Sequence, residues 1–568
     1  FAALLMLSRE PGLLFHAGFR LSYAAAFGAS VVSPVLCRLM QEISAGFSDS
    51  KNAGSDRSGY KKPENGPAGE TENTGFVPAG FINRLRNMLS RQKEASVSWL
   101  AIQLCTLPLV AGYYCEIPVW SLPVNLLLVP WVQYILIIGV AGGLACIFFP
   151  AAAGILLFPA DLGRSLFNVV LEWFLKLPGG TWICGEPSAV QMAGFYLLFA
   201  AAMILLVRKK KRISKQKNKE MVSRRAKEKG LRRPKERLHR KGAAFIFLLL
   251  GAACFFLFFR LPEGVSLTML DVGQGDCLVI RQGGTVFLFD GGSTNVRNPG
   301  ANRILPYCKS QGIRRIEGIF VSHDDDDHMN GIEEILRLSA ENKTSLQVGY
   351  LFLPDWMCGT EGGKRLISEC AAAKVKVRTL VRGDSFKVKD MQFSVLHPFS
   401  EDGTEENAYL IREGTGEGLF AVQPETEGLQ SPVRAGTGVR SSPAREGNAG
   451  SLVLEMKAYG WKTLLTGDLE KEGEEELIPY LGHADCLKVG HHGSRNSTSA
   501  ELLRQTEPHA ALISAPKKST YGHPHAETLE RLEEYGAEIY ITKDSGAIRM
   551  EIRREGVRIR EYHPTERS

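Results

Sequence analysis

The stretch Val321–Gly331, VSHDDDDHMNG, sets His323, Asp325, Asp327 and His328 into one short turn. The run before it, Ile316–Val321 (IEGIFV), is short, apolar and β-branched, and reads as a buried strand. The run after it, Gly331–Leu338 (GIEEILRL), has the periodicity of an amphipathic helix. Four good metal ligands therefore sit where a strand hands over to a helix. Imidazole with carboxylate suits zinc or manganese. Asp is also common at helix N-caps and in solvated turns. Four consecutive Asp repel one another unless a cation offsets them, and two flanking His are foreign to a plain cap.

The chain of 568 residues is too long for one domain. It opens on Phe1 in mid-pattern, which reads as a piece lacking its N-terminal region, so no leader can be judged. Residues 1–260 hold long apolar runs, and 261–568 read as a water-facing domain. The expected spans are Leu21–Met40, Val97–Tyr113, Ser121–Val140, Gly142–Leu157, Met192–Val207 and Ala243–Phe259. Several are short or interrupted by Pro and Gly, as helices lining a protein interior can be. Asp161–Leu175 carries Arg164 and Glu172 beside an apolar face and reads as an interfacial helix.

Two inserts break this half. Residues 44–95 are rich in Gly, Ser, Asn, Glu and Lys and read as a flexible loop. Residues 208–241 hold 18 Lys and Arg against 3 Glu, a net of +15; the whole chain is +7, so the remainder sums to −8. The basic balance belongs to one loop. Such segments stay in the cytoplasm and are attracted to anionic lipid. The single span after it then carries the chain back across, and everything past about residue 260 is expected outside the cytoplasm. Cys277, Cys308, Cys358, Cys370 and Cys486 lie in that part, odd in number and without a close pair, so no disulfide framework or zinc ribbon is evident.

The second half alternates strand and helix, the mark of an α/β layered fold. Val265–Arg281 and Thr285–Gly292 read as strands, with a tight turn at Gly273–Asp276 and with Asp290 ending a strand against Gly291-Gly292. Trp461–Gly467 ends in Asp468; Asp485–Gly493 (DCLKVGHHG) runs into His491 and His492; Ala510–Ser514 is followed by Tyr521–His525, YGHPH. Side chains past strand ends converge at one edge of a sheet. Residues 414–450 lack periodic apolar positions and read as a disordered insert.

These residues carry a resemblance. His323-x-Asp325-x-Asp327-His328 resembles the His-x-His-x-Asp-His signature of metallo-β-lactamase-fold hydrolases, with Asp325 in place of the second His. Asp290 in FDGG and Asp468 in LLTGD match that family's strand-end carboxylates. The narrower set LDVGQGD, SHxDxDH, LLTGD, LKVGHHGS and YGHPH resembles the ComEC-type DNA-internalisation proteins of competent bacteria. So do FRLSYAA at Phe19–Ala25 and NLLLVP at Asn125–Pro130 in the apolar half.

The resemblance implies a polytopic α-helical membrane domain followed by an αββα metallo-β-lactamase-like domain. It implies a channel that passes single-stranded DNA, with an extracytoplasmic hydrolase that degrades the other strand. Partners would be single- and double-stranded DNA, the membrane, a second copy and other DNA-uptake proteins. Cofactors would be two divalent ions, zinc or manganese, which polarise a phosphodiester and lower the pKa of bound water. One ion is expected on His323 and Asp325 with His397 or His491. The other is expected on Asp327 and His328 with His491 or His523, and Asp468 bridges. Asp327, Asp468 and His525 are the expected catalytic residues. Asp271, Asp276 and Asp290 support the fold near the site, and Ser494 and Tyr521 are expected substrate contacts. His397 in VLHP reads equally as a structural His. Two other functions fit the pattern: a DNA-binding transport protein without nuclease activity, and a tethered hydrolase of small phosphodiesters or lactones.

Overall fold

A computed structural model describes residues 2–38, 79–177, 179–224, 236–260, 264–399 and 446–562. The chain forms two compact units, Phe1–Phe259 and Arg260–Ser568.

The first unit is helical. Its helices are Ala2–Arg9 (α1), Ala17–Phe27 (α2), Ala79–Tyr114 (α3), Ser121–Phe148 (α4), Ala153–Leu175 (α5), Ala189–Arg224 (α6) and Glu236–Phe258 (α7). Five stretches are long and apolar enough to cross a membrane by length and composition: Ala17–Arg38, Glu94–Tyr114, Pro123–Phe148, Pro150–Leu175 and Ala189–Arg208. Phe245–Phe258 is apolar but shorter. Val32 and Leu36, Ala101 and Cys105, Phe195 and Phe199, and Ala253 and Leu257 form a common core of α2 with its continuation, α3, α6 and α7.

Four expectations are corrected here. Gly142–Leu157 is not an element. Gly142 stays inside α4, where a Cβ would press on Leu156 O at 3.0 Å across the α4–α5 contact. The break falls at Phe149-Pro150, because proline cannot donate the amide that would continue the helix. Asp161–Leu175 is the second half of the apolar stretch Pro150–Leu175, with Arg164 neutralised by Asp161 at 2.7 Å, not a separate interfacial helix. The basic segment is largely helical: α6 runs on to Arg224 and α7 starts at Glu236. Lys and Arg are good helix formers, so charge alone does not end a helix. Residues 79–95 of the expected loop are helical too, and 44–78 lie outside the described residues.

The second unit is a sandwich of two sheets with helices outside. The first unit holds the short strands Glu116–Pro118 (β1) and Thr181–Ile183 (β2), so numbering continues from β3. One sheet has eight strands: Gly556–Tyr562 (β17), Ala547–Arg553 (β16), Val265–Met269 (β3), Leu278–Gln282 (β4), Thr285–Phe289 (β5), Arg315–Phe320 (β6), Gln347–Pro354 (β7) and Lys376–Leu380 (β8), in that order. The other has seven: Glu538–Ile541 (β15), Ala510–Ile513 (β14), Cys486–Lys488 (β13), Trp461–Leu465 (β12), Val453–Ala458 (β11), Met391–His397 (β10) and Ser385–Val388 (β9). The segment 265–281 is thus a hairpin, β3 and β4 joined by the GQGD turn.

Between the sheets lies an aromatic core. Phe320 stacks on Phe386 at 5.7 Å, and Phe287 meets Phe393 at 5.2 Å. Each such ring contributes about 1.5–3 kcal/mol by leaving water. Gly318, in the middle of β6, is explained by this core: a Cβ there would meet the Phe352 ring at 2.5 Å. β5 to β8 and β12 to β15 are parallel runs, so the ends of β5, β6, β12, β13 and β14 are carboxyl ends of the kind where open α/β sheets build their sites. The expected insert at 414–450 lies outside the described residues up to 445; 447–450 form a 3₁₀ turn with Gly450 buried, accepting from Trp356 Nε1 at 2.9 Å.

Candidate metal centre

The helix after β6 starts earlier than its periodicity suggests, at Asp326, and runs to Ala340 (α8). Asp325 occupies its N-cap position, but its side chain makes no cap hydrogen bond. It lies instead 3.4 Å from His323 Nε2. The turn spends its carboxylate on the histidine, not on the helix.

Three imidazoles are completely buried: His323, His328 and His492. Each is fixed through Nδ1. His323 Nδ1 lies 2.9 Å from Ser322 Oγ, His328 Nδ1 is 3.0 Å from Asp290 Oδ2, and His492 Nδ1 is 3.2 Å from Ser514 O. All three Nε2 atoms are buried without a hydrogen bond. A buried polar atom left unpaired is costly. Nδ1 anchored and Nε2 bare is how metal-ligating histidines are held.

The carboxylates face those Nε2 atoms. Asp468 Oδ2 is 3.2 Å from His328 Nε2 and 3.4 Å from His492 Nε2, and Asp327 Oδ2 is 3.3 Å from His492 Nε2. His323, His328 and Asp468 bring one ligand atom each within 4.8 Å of one another, as do Asp327, His328 and His492. The donor set therefore fits divalent metal binding, as the fold implies.

Asp290 holds the strand ends together. Its Oδ1 accepts from Ser322 N–H at 2.7 Å and its Oδ2 from Ser322 Oγ at 2.8 Å, besides orienting His328. Asp271 accepts from Gly273 N–H at 3.3 Å within the GQGD turn. That turn docks on the His–Asp turn: Asp276 N–H donates to Asp327 O at 3.1 Å.

Sequence reasoning missed two residues. The first is His492, which sits in the centre, whereas His491 is one-quarter exposed, held by Glu470 at 2.9 Å, with Nε2 3.9 Å from Asp468. Both have left-handed backbone, φ 44° for His491 and 54° for His492. Two consecutive such residues cost about 1–2 kcal/mol each, and strain of this kind gathers at functional sites. The glycines of GHHG were the available signal. The second is Lys488, completely buried, which donates to Gly467 O at 2.6 Å, pairs with Asp276 and lies 3.4 Å from Asp468.

The remaining expected residues lie further out. His397 is buried at the end of β10, with Nδ1 2.8 Å from Ser451 O, and it is in none of the ligand clusters among the described residues. His523 is buried, its ring 5.3 Å from that of His491 and 6.2 Å from that of His492. Tyr521 is 63% exposed and stacks on His523 at 5.8 Å, forming a rim. His525 Nδ1 accepts from Arg495 N–H at 3.1 Å. Ser494 is buried, and its Oγ accepts from Asn496 N–H at 3.3 Å.

The charges are interlocked. Burial pushes the Asp327 carboxyl up, but the approach of His492 and the charge of His328 outweigh it and bring it to about 2. Asp468 is held well below the usual carboxylate range: burial opposes its charge, and His328, His492 and Lys488 overcome that. Burial lowers the pKa of His328 and His492, but Asp468 leads the carboxylates that raise both. His523 goes the other way, to about 4, through burial and then its neighbours His491, His492 and His525.

Without metal, the carboxylates thus favour the protonated forms of His328 and His492. A metal taking their Nε2 atoms displaces those protons. Their folded pKa values are raised, so metal binding near neutral pH is expected to release protons. Apparent affinity should rise with pH until the raised pKa values are passed. Calorimetric titration of zinc or manganese in two buffers of different ionisation enthalpy checks this; identical heats would refute it.

Residues 1–209 match the Competence protein family, and residues 270–354 match the Metallo-beta-lactamase superfamily. ComE operon protein 3 of Bacillus subtilis (strain 168) is 25% identical over 498 residues, covering 82% of this chain and 53% of that protein. Recombination protein 2 of Haemophilus influenzae is 28% identical over 284 residues, covering 50% and 28%. The chain spans about half or less of the length of these curated relatives. The solved metallo-beta-lactamase fold protein YhfI of Bacillus subtilis is 9% identical, covering 48% of this chain and 96% of that one, with a TM-score of 0.29. The chain is thus similar to ComEC-type competence proteins: a Competence protein match over its apolar helices is followed by a Metallo-beta-lactamase superfamily match.

Proposed function

We propose that this protein serves DNA uptake, with the second unit acting as a metal-dependent phosphodiesterase on DNA outside the cytoplasm and the apolar helices passing a single strand inward. The observation that carries the hydrolase reading is the set of three buried, unpaired Nε2 atoms aimed at Asp325, Asp327 and Asp468. His323 and Asp325 would hold one divalent ion. Asp327, His328 and His492 would hold the other, and Asp468 faces both sets. Bound there, the ions supply Lewis acidity and a more acidic water.

The protein's own residues do the rest. Asp290 and Ser514 fix the ring planes of His328 and His492, and Glu470 fixes His491 at the mouth. His523, with its pKa near 4, is a neutral imidazole at physiological pH and can accept a proton or a hydrogen bond from substrate or water. His525 and Tyr521 form the open rim where a substrate would enter.

The orientation rests on charge. α6 and α7 both bear their basic residues at the ends that face each other across 208–241. At the other end, Gln191 Nε2 donates to Phe259 O at 2.6 Å, and the chain leaves the helical unit there. Basic ends in the cytoplasm put that exit outside.

The test is the full chain in detergent or lipid discs, stripped of metal and given labelled single- and double-stranded oligonucleotides. Cleavage is expected only after manganese or zinc is restored. A metal-loaded chain that binds DNA and leaves it intact would refute the hydrolase reading.

A further inference from the structure

The small ladder in the helical unit brings two cysteines to opposed backbone positions. β1 and β2 pair antiparallel, with Pro118 opposite Thr181, Ile117 opposite Trp182 and Glu116 opposite Ile183. One step further, the same register sets Cys115 opposite Cys184. The pairing persists there: Cys184 N–H donates to Cys115 O at 2.9 Å, and Gly185 N–H reaches the same oxygen at 3.2 Å. Directly opposed residues of an antiparallel pair keep their Cα atoms about 4.5–5.5 Å apart. A disulfide needs about 4.4–6.8 Å.

The backbone fixes Cys115 in place. It ends α3, its N–H donating to Ala111 O at 3.0 Å, and its φ is 56°. Glycine takes that left-handed position more readily than any side-chain-bearing residue. Cys184 is buried, and the aromatic residues Tyr114, Trp120 and Trp182 surround the ladder in sequence, as at a membrane–water boundary.

The compartment follows from the far ends of the helices. α3 starts in a segment bearing Arg84, Arg86, Arg91 and Lys93, and ends at the cysteine. α6 starts five residues after Cys184 and ends in the basic segment. Both helices are therefore basic at the end away from the pair, which places the pair outside the cytoplasm; this step rests on the orientation proposed above. Thiols brought together on that side are oxidised and stay so.

We propose that Cys115 and Cys184 form a disulfide that closes the neck of the α4–α5 hairpin. The two thiols lose two protons and two electrons to the disulfide of an extracytoplasmic thiol oxidant. A sulfur–sulfur bond forms between them, and the oxidant leaves as two thiols. The bridge has a clear task. Few residues of either helix are buried within the helical unit, Leu128 in α4 and Gly163 in α5 among them, so the hairpin has little packing from the other helices to hold its base closed.

Thiol counting tests this. The full chain, taken from membranes of cells that oxidise exported cysteines, is denatured in SDS and tagged with a polyethylene-glycol maleimide, with and without prior reduction. It has 11 cysteines. Two fewer tags are expected without reduction than with it. Cys115→Ser and Cys184→Ser should each take ten tags either way, and unfolding before tagging makes the count independent of their stability. A wild-type chain fully tagged without reduction overturns the proposal, as does a single variant that still gains two tags on reduction. In the first case a membrane-permeant thiol oxidant separates the causes. Closure of the pair would overturn the outside placement, and failure to close would overturn the pairing itself.

Discussion

Asp468→Ala is expected to lower metal-dependent cleavage of DNA by about 10³-fold, roughly 4 kcal/mol of barrier. Its Oδ2 lies within 3.2–3.9 Å of the Nε2 atoms of His328, His492 and His491, and its Oδ1 faces Lys488 at 3.4 Å. Removing it takes a donor from both proposed ion positions and leaves the histidines without the charge that holds them together. His492→Ala should fall nearly as far, because that imidazole faces both Asp327 and Asp468. His491→Ala should cost only about 10–100-fold, as for a group acting around the ligands. Single-turnover cleavage and metal content of each purified variant decide the matter. An Asp468→Ala chain that still cleaves within a few-fold of the parent would remove the two-ion reading, and equal losses for His491 and His492 would remove the division of roles.

That division shows where the sequence stopped being readable. Strand ends were legible because short β-branched runs stop at Asp or at Gly-flanked His, so Asp290, Asp468 and the His323–His328 turn could be placed at strand carboxyl ends; that these ends belong to two facing sheets and not to one sheet edge was not legible. Which histidine of a pair points inward was not, because it depends on two successive left-handed residues, and φ is set by the tertiary fit of the turn. The caps were also ambiguous: Asp325 has the right identity and position for an N-cap, and only its distance to His323 shows that it serves the site. In the helical unit, composition found the apolar stretches but misjudged their ends. Gly142 reads as the start of a span, yet it lies inside α4 and lets that helix approach α5, and the break falls at Pro150. The register that opposes Cys115 to Cys184 arises from three-residue strands too short to show a periodic pattern.

Lys488→Met is expected to destabilise the second unit by about 3–5 kcal/mol in the metal-free state, the usual result of stripping a buried charge of its partner. For a unit spanning Arg260–Ser568, that lowers the melting temperature by about 5–8 °C. The period of two puts Lys488 on the same face as Cys486, which lies in the inter-sheet core, while Leu487 packs into the core on the other face of the sheet. No solvent-facing side is left for a lysine there, so its presence signals a buried anion. That anion is Asp276, completely buried, whose nearest cationic partner is Lys488, with His492 Nδ1 at 3.6 Å and His328 Nδ1 at 3.9 Å further off. Methionine keeps most of the volume, so the loss measures charge and not a cavity. Divalent metal should recover part of it by compensating Asp468. Adding Asp276→Asn to Lys488→Met should recover more, because it removes the stranded charge. Thermal melts of the full chain after chelation, for both single variants and the double, supply the cycle. If Lys488→Met melts with the parent, the lysine is not the counter-ion of the site. If the double variant is less stable than Lys488→Met alone, Asp276 is held by something other than that pair.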